Sequence, residues 1–342
     1  MTAGLLGFAL SGLLPEGDPG RTLRRAMWLI VASSAVAALS PHFAILLAAR
    51  AGQGIGVGLL IAGGLADIAG NHPASRGGRL TGLMIGGTAI GGLLSRLTGY
   101  SALWLGWRTS FALGGVAALG FLSVALNRLS RPSSETGARR QVVSPREGGV
   151  APLGLVVAGL GILFVNVAVF DLLPYRLAGP PFGLPPAVGD LVYLAFVPAL
   201  LTADIAGRAI DRFGARAVVL ASVVVGIGCL LVGLLPSLPA VAVMATGSIS
   251  GAVALHTSHS GAAAARGRVA VGRYLTAYYV GGALAAPVIA AAYQALGWVG
   301  AVLPLCLAWT GVGLLALLSP ASRWRRETGP GAPALEPFPA GP

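Results

Sequence analysis

The chain has 342 residues, 55% of them hydrophobic and only 10% charged, with a mean hydropathy of +0.81. Soluble domains carry about 25% charged residues; long apolar runs with so little charge exclude a water-soluble body and indicate a polytopic helical membrane protein, and the runs do not alternate as barrel strands do. The formal charge is +12 and the 23 basic residues are all arginine, but they sit in short loops between apolar runs, which argues for membrane topology and against a nucleic-acid partner.

Eleven apolar spans are predicted, at 2–14, 26–40, 44–66, 80–97, 105–126, 151–173, 188–206, 217–235, 239–262, 273–296 and 298–318. The first is short of the roughly 20 residues a spanning helix needs, and it lacks the basic start and cleavage site of a signal peptide. All arginines except Arg50, Arg96, Arg108 and Arg176 fall on one alternate set of loops and in the tail. By the positive-inside rule that set faces the cytoplasm, which puts the C-terminus inside and Met1 outside. Residues 127–150, polar and arginine-rich with Pro132 and Pro145, read as a linker. Residues 320–342, rich in Pro, Gly and Ala, read as a disordered tail. Cys229 and Cys306 lie inside apolar runs and give no disulfide framework. Four histidines are too scattered for a metal site.

The two sides of the linker repeat one another. Gly78-Arg79-Leu80-Thr81 with Gly86-Gly87 recurs as Gly272-Arg273-Tyr274-Leu275-Thr276 with Gly281-Gly282, and Gly106-Trp107 recurs as Gly297-Trp298. Copies about 190 residues apart are the mark of a two-lobed transporter with halves related about the membrane normal.

Two motifs carry a family resemblance. Residues 207–216, Gly-Arg-Ala-Ile-Asp-Arg-Phe-Gly-Ala-Arg, fit G-x-x-x-D-R-x-G-x-R, and Arg50-Ala-Gly-Gln53-Gly54-Ile-Gly56 fits R-x-x-Q-G-x-G. Both resemble signature segments of the major facilitator superfamily of secondary transporters. Ser95-Arg96-Leu97 ahead of Gly106-Trp107-Arg108, with Tyr175-Arg176-Leu177 and Ala277-Tyr278-Tyr279, resembles the bacterial inner-membrane drug and sugar efflux permeases within it. The resemblance implies an all-α major facilitator fold with an N-terminal lobe at 1–126 (family helices 2–6) and a C-terminal lobe at 151–319 (family helices 7–12). It also implies a multi-pass monomer in the inner (plasma) membrane that takes a small-molecule substrate. No cofactor is expected beyond a proton gradient, and no enzymatic activity.

Three departures from the pattern stand out. Residues 2–14 align with the family's second helix, so the first is missing from the sequence, and the expectation is a coding start upstream of Met1. The first-lobe copy of the charged turn has Gly17 at the acidic position, flanked by Glu16 and Asp18, and Thr88 replaces a proline found in many proton antiporters. The competing expectation is a truncated, non-transporting membrane scaffold or sensor, or a pseudogene product.

A charge inside a bilayer costs about 2.5–3.5 kcal/mol on insertion scales, which singles out Arg50. Either it binds an anionic group or tunes a neighbouring carboxylate, or it is a structural arginine on backbone carbonyls. Asp171, near the outer end of its span, is either a proton carrier or a helix-end charge paired with Arg176. His256, with His259 one turn on, is either a proton or substrate group or a buried histidine with a hydroxyl partner. Arg96 completes the candidates for substrate or proton coupling. Asp204 stands four residues before Arg208 and is predicted to pair with it. By resemblance Gly207, Asp211, Arg212, Gly214 and Arg216 form a cytoplasmic gate, in which Asp211 pairs across a helix interface with Arg273 or Arg79. An enzyme using His256 and Asp171 is disfavoured, because the two lie near opposite faces.

Overall fold

The computed structural model describes residues 19–72, 74–129, 152–185 and 189–319. The span predicted at 2–14, the degraded turn at Glu16–Asp18, nearly all of the linker and the tail lie outside the described residues. The helices are α1 (Pro19–Leu39), α2 (Phe43–Asn71), α3 (Ala74–Leu105) and α4 (Trp107–Leu129), then α5 (Pro152–Ala178), a 3-10 turn (Asp190–Ala195), α6 (Phe196–Phe213), α7 (Ala215–Val232), α8 (Leu238–Ala264) and α9 (Arg268–Leu318). No strand occurs among the described residues.

Helix is what this composition dictates in lipid, where each backbone amide must find its partner within its own segment. The chain breaks helix where glycine permits a left-handed residue. Gly106 (φ 79°) separates α3 from α4, Gly214 (φ 85°) separates α6 from α7, and Gly297 (φ 63°) divides α9 into arms 268–296 and 298–318. Gly106 and Gly297 each precede a tryptophan, so the repeated Gly-Trp pair is a repeated helix break. Seven helical stretches among the described residues are long and apolar enough to cross a membrane, and one of them, Val269–Leu318, holds two of the predicted spans. The spans predicted at 80–97 and 105–126 are helical in α3 and α4 but are not among the seven, so the predicted eleven is not matched by that measure. Large apolar side chains cover the outside, among them Trp104 at 87%, Leu39 at 80% and Val224 at 71% exposure, a surface suited to acyl chains and not to water.

The helices before the linker pack on one another, α1 against α2 and α4, and α3 against α4. Those after it form a second group, with α5 on α9 and α8 on α5, α6 and α7. Between hydrocarbon-solvated helices the driving force is close packing, and small residues allow it. In the second group Trp309, fully buried, lies against Gly226 and Gly251, where a Cβ would collide with its ring. The groups meet through α3 on α6, α8 on α2 and α3, and α9 on α2. Ile61, Ala62 and Leu65 of α2 and Ile85 of α3 join the buried core of the second group.

Candidate functional site

The charged turn sits where the two groups meet. Gly214 alone joins α6 to α7, its N–H donating to the Ile210 carbonyl at 2.9 Å, and this places Asp211 in the last turn of α6. Its carboxylate accepts two hydrogen bonds from the other group, from the Gly78 N–H to Oδ1 and from the Arg79 N–H to Oδ2, each 3.0 Å. A carboxylate near a helix N-terminus also opposes the positive end of that helix. The predicted partner chemistry is therefore corrected: Asp211 holds the backbone of Arg79, not its guanidinium, and its bonds run to α3 and not to Arg273, which is exposed at the start of α9. The Arg79 Nε lies 3.7 Å from Asp204 Oδ1 instead, and Asp204 takes the predicted partner Arg208 at 2.6 Å.

Glycine makes this approach possible. A Cβ on Gly78 would meet Asp211 itself, and one on Gly207 would lie 2.7 Å from the Gly78 carbonyl oxygen and 2.8 Å from the Arg79 Cα. One turn further, a Cβ on Gly82 would collide with the Ala203 carbonyl. The seam thus runs Gly78, Gly82, Gly86 on α3 against Gly207 and Ala203 on α6, two rows at four-residue spacing with backbone against backbone. It fades along the helices: a Cβ on Gly92 would lie 3.8 Å from Phe196, in ordinary contact, and one on Gly87 or Gly91 meets nothing within 4 Å. The other turn residues act elsewhere. Arg216 donates to the Leu317 carbonyl at 3.0 Å, which ties α7 to the end of α9 within one group, and Arg212 lies over its neighbour Phe213 at 5.0 Å.

Arg50 lies on α2, exposed, with its Nη1 donating to Gln53 Oε1 at 2.6 Å. Gln53 Nε2 donates to Ser34 Oγ on α1 at 2.8 Å, and that hydroxyl donates to the Ile30 carbonyl at 2.8 Å. The Phe111 ring of α4 is 5.6 Å from the guanidinium carbon. Two residues of the R-x-x-Q motif thus form one relay across three helices, and the arginine itself stays exposed. Of Arg96 the structure describes only the backbone, within α3.

His256 and His259 are both buried, at 6% and 2% exposure, in a run through Ser260 that is polar at each position. Most of the run is satisfied locally: Thr257 and Ser258 donate to the carbonyls of Val253 and Ala254, and His259 Nδ1 donates to the Leu255 carbonyl at 2.8 Å. His256 reaches a second helix, with Nδ1 2.6 Å from Tyr274 Oη, and its ring stacks on Tyr278 at 4.2 Å and 19°. Tyr274 and Tyr278 were missed in the sequence reading. Their one-turn spacing on α9 opposite a polar α8 was the available signal. Asp171 is exposed on α5. Arg176 donates to the Pro180 carbonyl at 2.9 Å and lies over the rings of Trp298 and Phe182 at 4.9 and 5.4 Å. No group of three or more metal-ligating side chains occurs among the described residues.

No family model matches the chain. In sequence it is similar to an uncharacterised MFS-type transporter of Bacillus subtilis, YybF, with 26% identity over 192 residues. That match covers 52% of this chain and 46% of YybF, so it spans under half the length of the relative. Among solved structures the chain is similar to the major facilitator transporter FucP in an outward conformation, with 14% identity, a TM-score of 0.74, and coverage of 93% of this chain and 88% of FucP. It is also similar to the human organic anion transporter MFSD10, with 19% identity, a TM-score of 0.68, and coverage of 92% of this chain and 82% of MFSD10, and to the proton:xylose symporter XylE, with 18% identity, a TM-score of 0.65, and coverage of 92% of this chain and 83% of XylE. With its helix arrangement and these structural neighbours in agreement, the chain has the major facilitator fold.

Proposed function

We propose that the chain is a secondary transporter that moves a small molecule outward across the inner membrane by alternating access, in exchange for protons. The observation that supports this reading is the α3–α6 seam. It joins the two helix groups at one end through parts that can separate whole: two amides on one carboxylate, glycine-faced backbone, and one exposed ion pair. Separation there returns Asp211 and the Gly78 and Arg79 amides to water without unfolding either group. A small free-energy difference then decides which end is open. The same seam would not serve a rigid scaffold, which gains nothing from polar contacts that fade along the interface.

In this cycle Arg50 faces the pathway and meets an anionic or polar part of the substrate, its direction set by Gln53 and Phe111. Asp171 and His256 are the groups that can take and release a proton within the spans, and the gradient is the only energy source the residues call for. The arginine-rich end faces the cytoplasm, and the working unit is a monomer.

The test is flux in proteoliposomes across a substrate panel with an imposed pH gradient. Substrate movement against its own gradient, coupled to opposite proton movement and lost in Arg50→Ala at unchanged expression, is expected. Flux indifferent to the pH gradient removes the antiport, and absence of flux for the whole panel removes the transport reading.

A further inference from the structure

The polar run on α8 contains two residues, His256 and Ser260, whose side-chain bonds do not end on a carbonyl of the helix. Thr257, Ser258 and His259 direct their hydrogen bonds at carbonyls of their own helix. His256 instead spends Nδ1 on Tyr274 Oη, with Ser260 Oγ at 3.4 Å from the same nitrogen. A phenol is a stronger acid than a neutral imidazole N–H, so the Tyr274 hydroxyl donates and Nδ1 accepts. The proton of the neutral ring then resides on Nε2. Among the described residues Nε2 takes no hydrogen bond, although His256 is only 6% exposed. The Tyr278 hydroxyl, on the ring stacked against His256, takes none either. Neither atom is among the fully enclosed polar side-chain atoms that lack a partner, so each keeps some accessible surface through which a ligand could reach it.

These two groups lie where α8 meets α9, two helices that both also pack on α2 of the other group. The face of α8 that carries His256 and Ser260 turns to α9, and on the adjoining face Gly261 comes to Thr81 of α3. α2 packs on both α8 and α9, and its Ile61, Ala62 and Leu65 belong to the same core. The rings that face His256 are Tyr274, Tyr278 and His259, and those that face Tyr278 are His256, Tyr274 and Tyr279. None of these partners is a carboxylate or a guanidinium.

We propose that His256 and Tyr278 form a substrate subsite for an uncharged ring-bearing ligand with an acceptor oxygen, in which Nε2–H and the Tyr278 hydroxyl hold the oxygen and the stacked rings hold the apolar face. Tyr274 and Ser260 are positioning residues that fix the tautomer. An anion would find no cation here, and a cation would meet an N–H donor. The inference rests on the transport reading and narrows it to a substrate class.

The experiment measures equilibrium binding to the purified full chain in nanodiscs, so it is independent of flux. Benzamide and methyl β-D-glucopyranoside are the neutral probes, one planar and one a saturated ring; benzoate and benzyltrimethylammonium are the charged controls. One neutral probe is expected to bind and to identify which ring type the stack prefers, with the charged probes weaker. His256→Phe keeps the ring and removes the donor, and is expected to weaken binding about tenfold, the scale of one lost hydrogen bond. His256→Gln restores an N–H near the Nε2 position and is expected to recover most of it. Tyr278→Leu, which removes ring and hydroxyl together, is expected to weaken binding at least as much as His256→Phe. Tyr274→Phe is read by nitrogen NMR of His256: a shift away from the Nε2–H tautomer is expected, and an unchanged tautomer overturns the positioning role. Thermal unfolding of each variant separates lost binding from lost fold. Absence of binding for both neutral probes, preference for a charged probe, or wild-type binding by folded His256→Phe overturns the subsite. Intact binding without flux instead sinks the transport reading and leaves the subsite standing.

Discussion

Two glycine seams in this molecule look alike in sequence and differ in what they can do. Within the second lobe, α5 and α9 approach through Gly159, which faces the backbone of Tyr274 and Tyr278, and through Gly281, which faces the backbone of Leu160. Gly282 seats Leu163 beside them. Between the lobes, α3 and α6 approach through Gly78, Gly82 and Gly207 with the same backbone closeness, but the seam ends in Asp211, Arg79 and Asp204 and thins toward Gly87 and Gly91. Close approach by itself therefore does not mark a moving interface. On the proposed cycle, what would mark one is a polar terminus that water can take over when the seam parts.

The largest effect is expected where the seam must never part. Gly281→Val puts branched atoms onto the Leu160 backbone, where no side chain can yield. Overpacking a filled core costs about 1–3 kcal/mol, and a clash with backbone belongs at the upper end or beyond. Loss of the monodisperse peak in detergent size-exclusion chromatography is the expected result. Recovery of wild-type protein with an unchanged thermal midpoint would mean the two seams are equally free to slide.

Gly207→Val applies the same insult between the lobes, against Gly78 and Arg79. Here each lobe can keep its own packing and simply separate. The protein should fold, with only a modest loss of thermal stability, and the lobes should stand apart at the charged-turn end. At about 1.4 kcal/mol per tenfold, a clash worth about 1–3 kcal/mol shifts the two-state ratio by roughly 5- to 150-fold. Distances between spin labels at exposed Arg76 and Phe213 would report it. A distribution identical to wild type would place the hinge elsewhere.

How much of this could be read without coordinates follows from the same seams. The charged turn and the R-x-x-Q-G-x-G segment were legible because their residue types and spacing resemble the family's segments, and the Gly-Trp pairs because they recur on the two sides of the linker. The Asp204–Arg208 pair followed from helical spacing alone. The partner of Asp211 was not legible. An acid beside several arginines suggests a guanidinium, whereas the actual donors are two backbone amides, which carry no letter in a sequence. Tyr274 and Tyr278 were passed over for a similar reason: a tyrosine on an apolar helix looks like packing until a polar residue on another helix is seen facing it.

Asp211→Asn separates charge from hydrogen bonding at the α3–α6 seam. The amide oxygen of asparagine can still accept from one of the two N–H groups, so only the charge term and one bond are lost. Charge near a helix N-terminus is worth about 0.3–1 kcal/mol and one hydrogen bond about 0.5–1.5 kcal/mol, which together correspond to a shift of roughly 4- to 70-fold toward the separated state, below the upper end expected of Gly207→Val and in the same direction. A shift as large as the valine variant's would mean that charge, not backbone fit, holds the lobes together.

The smallest effects distinguish two ion pairs on one carboxylate. Arg79 and Arg208 both reach Asp204, and both are 60% exposed. Exposed pairs are worth about 0–1 kcal/mol and are screened by salt. Arg208 lies on the same helix as Asp204, so its pair has the same geometry whether the lobes are together or apart. Arg79 comes from the other lobe, so its pair exists only when they are together. Arg208→Ala should therefore leave the spin-label distances unchanged at every ionic strength. Arg79→Ala should shift them slightly, at most about fivefold in population, and only at low salt. A salt-dependent shift in Arg208→Ala would show that the α6 helix itself changes between the two states, and that the lobes do not move as rigid bodies.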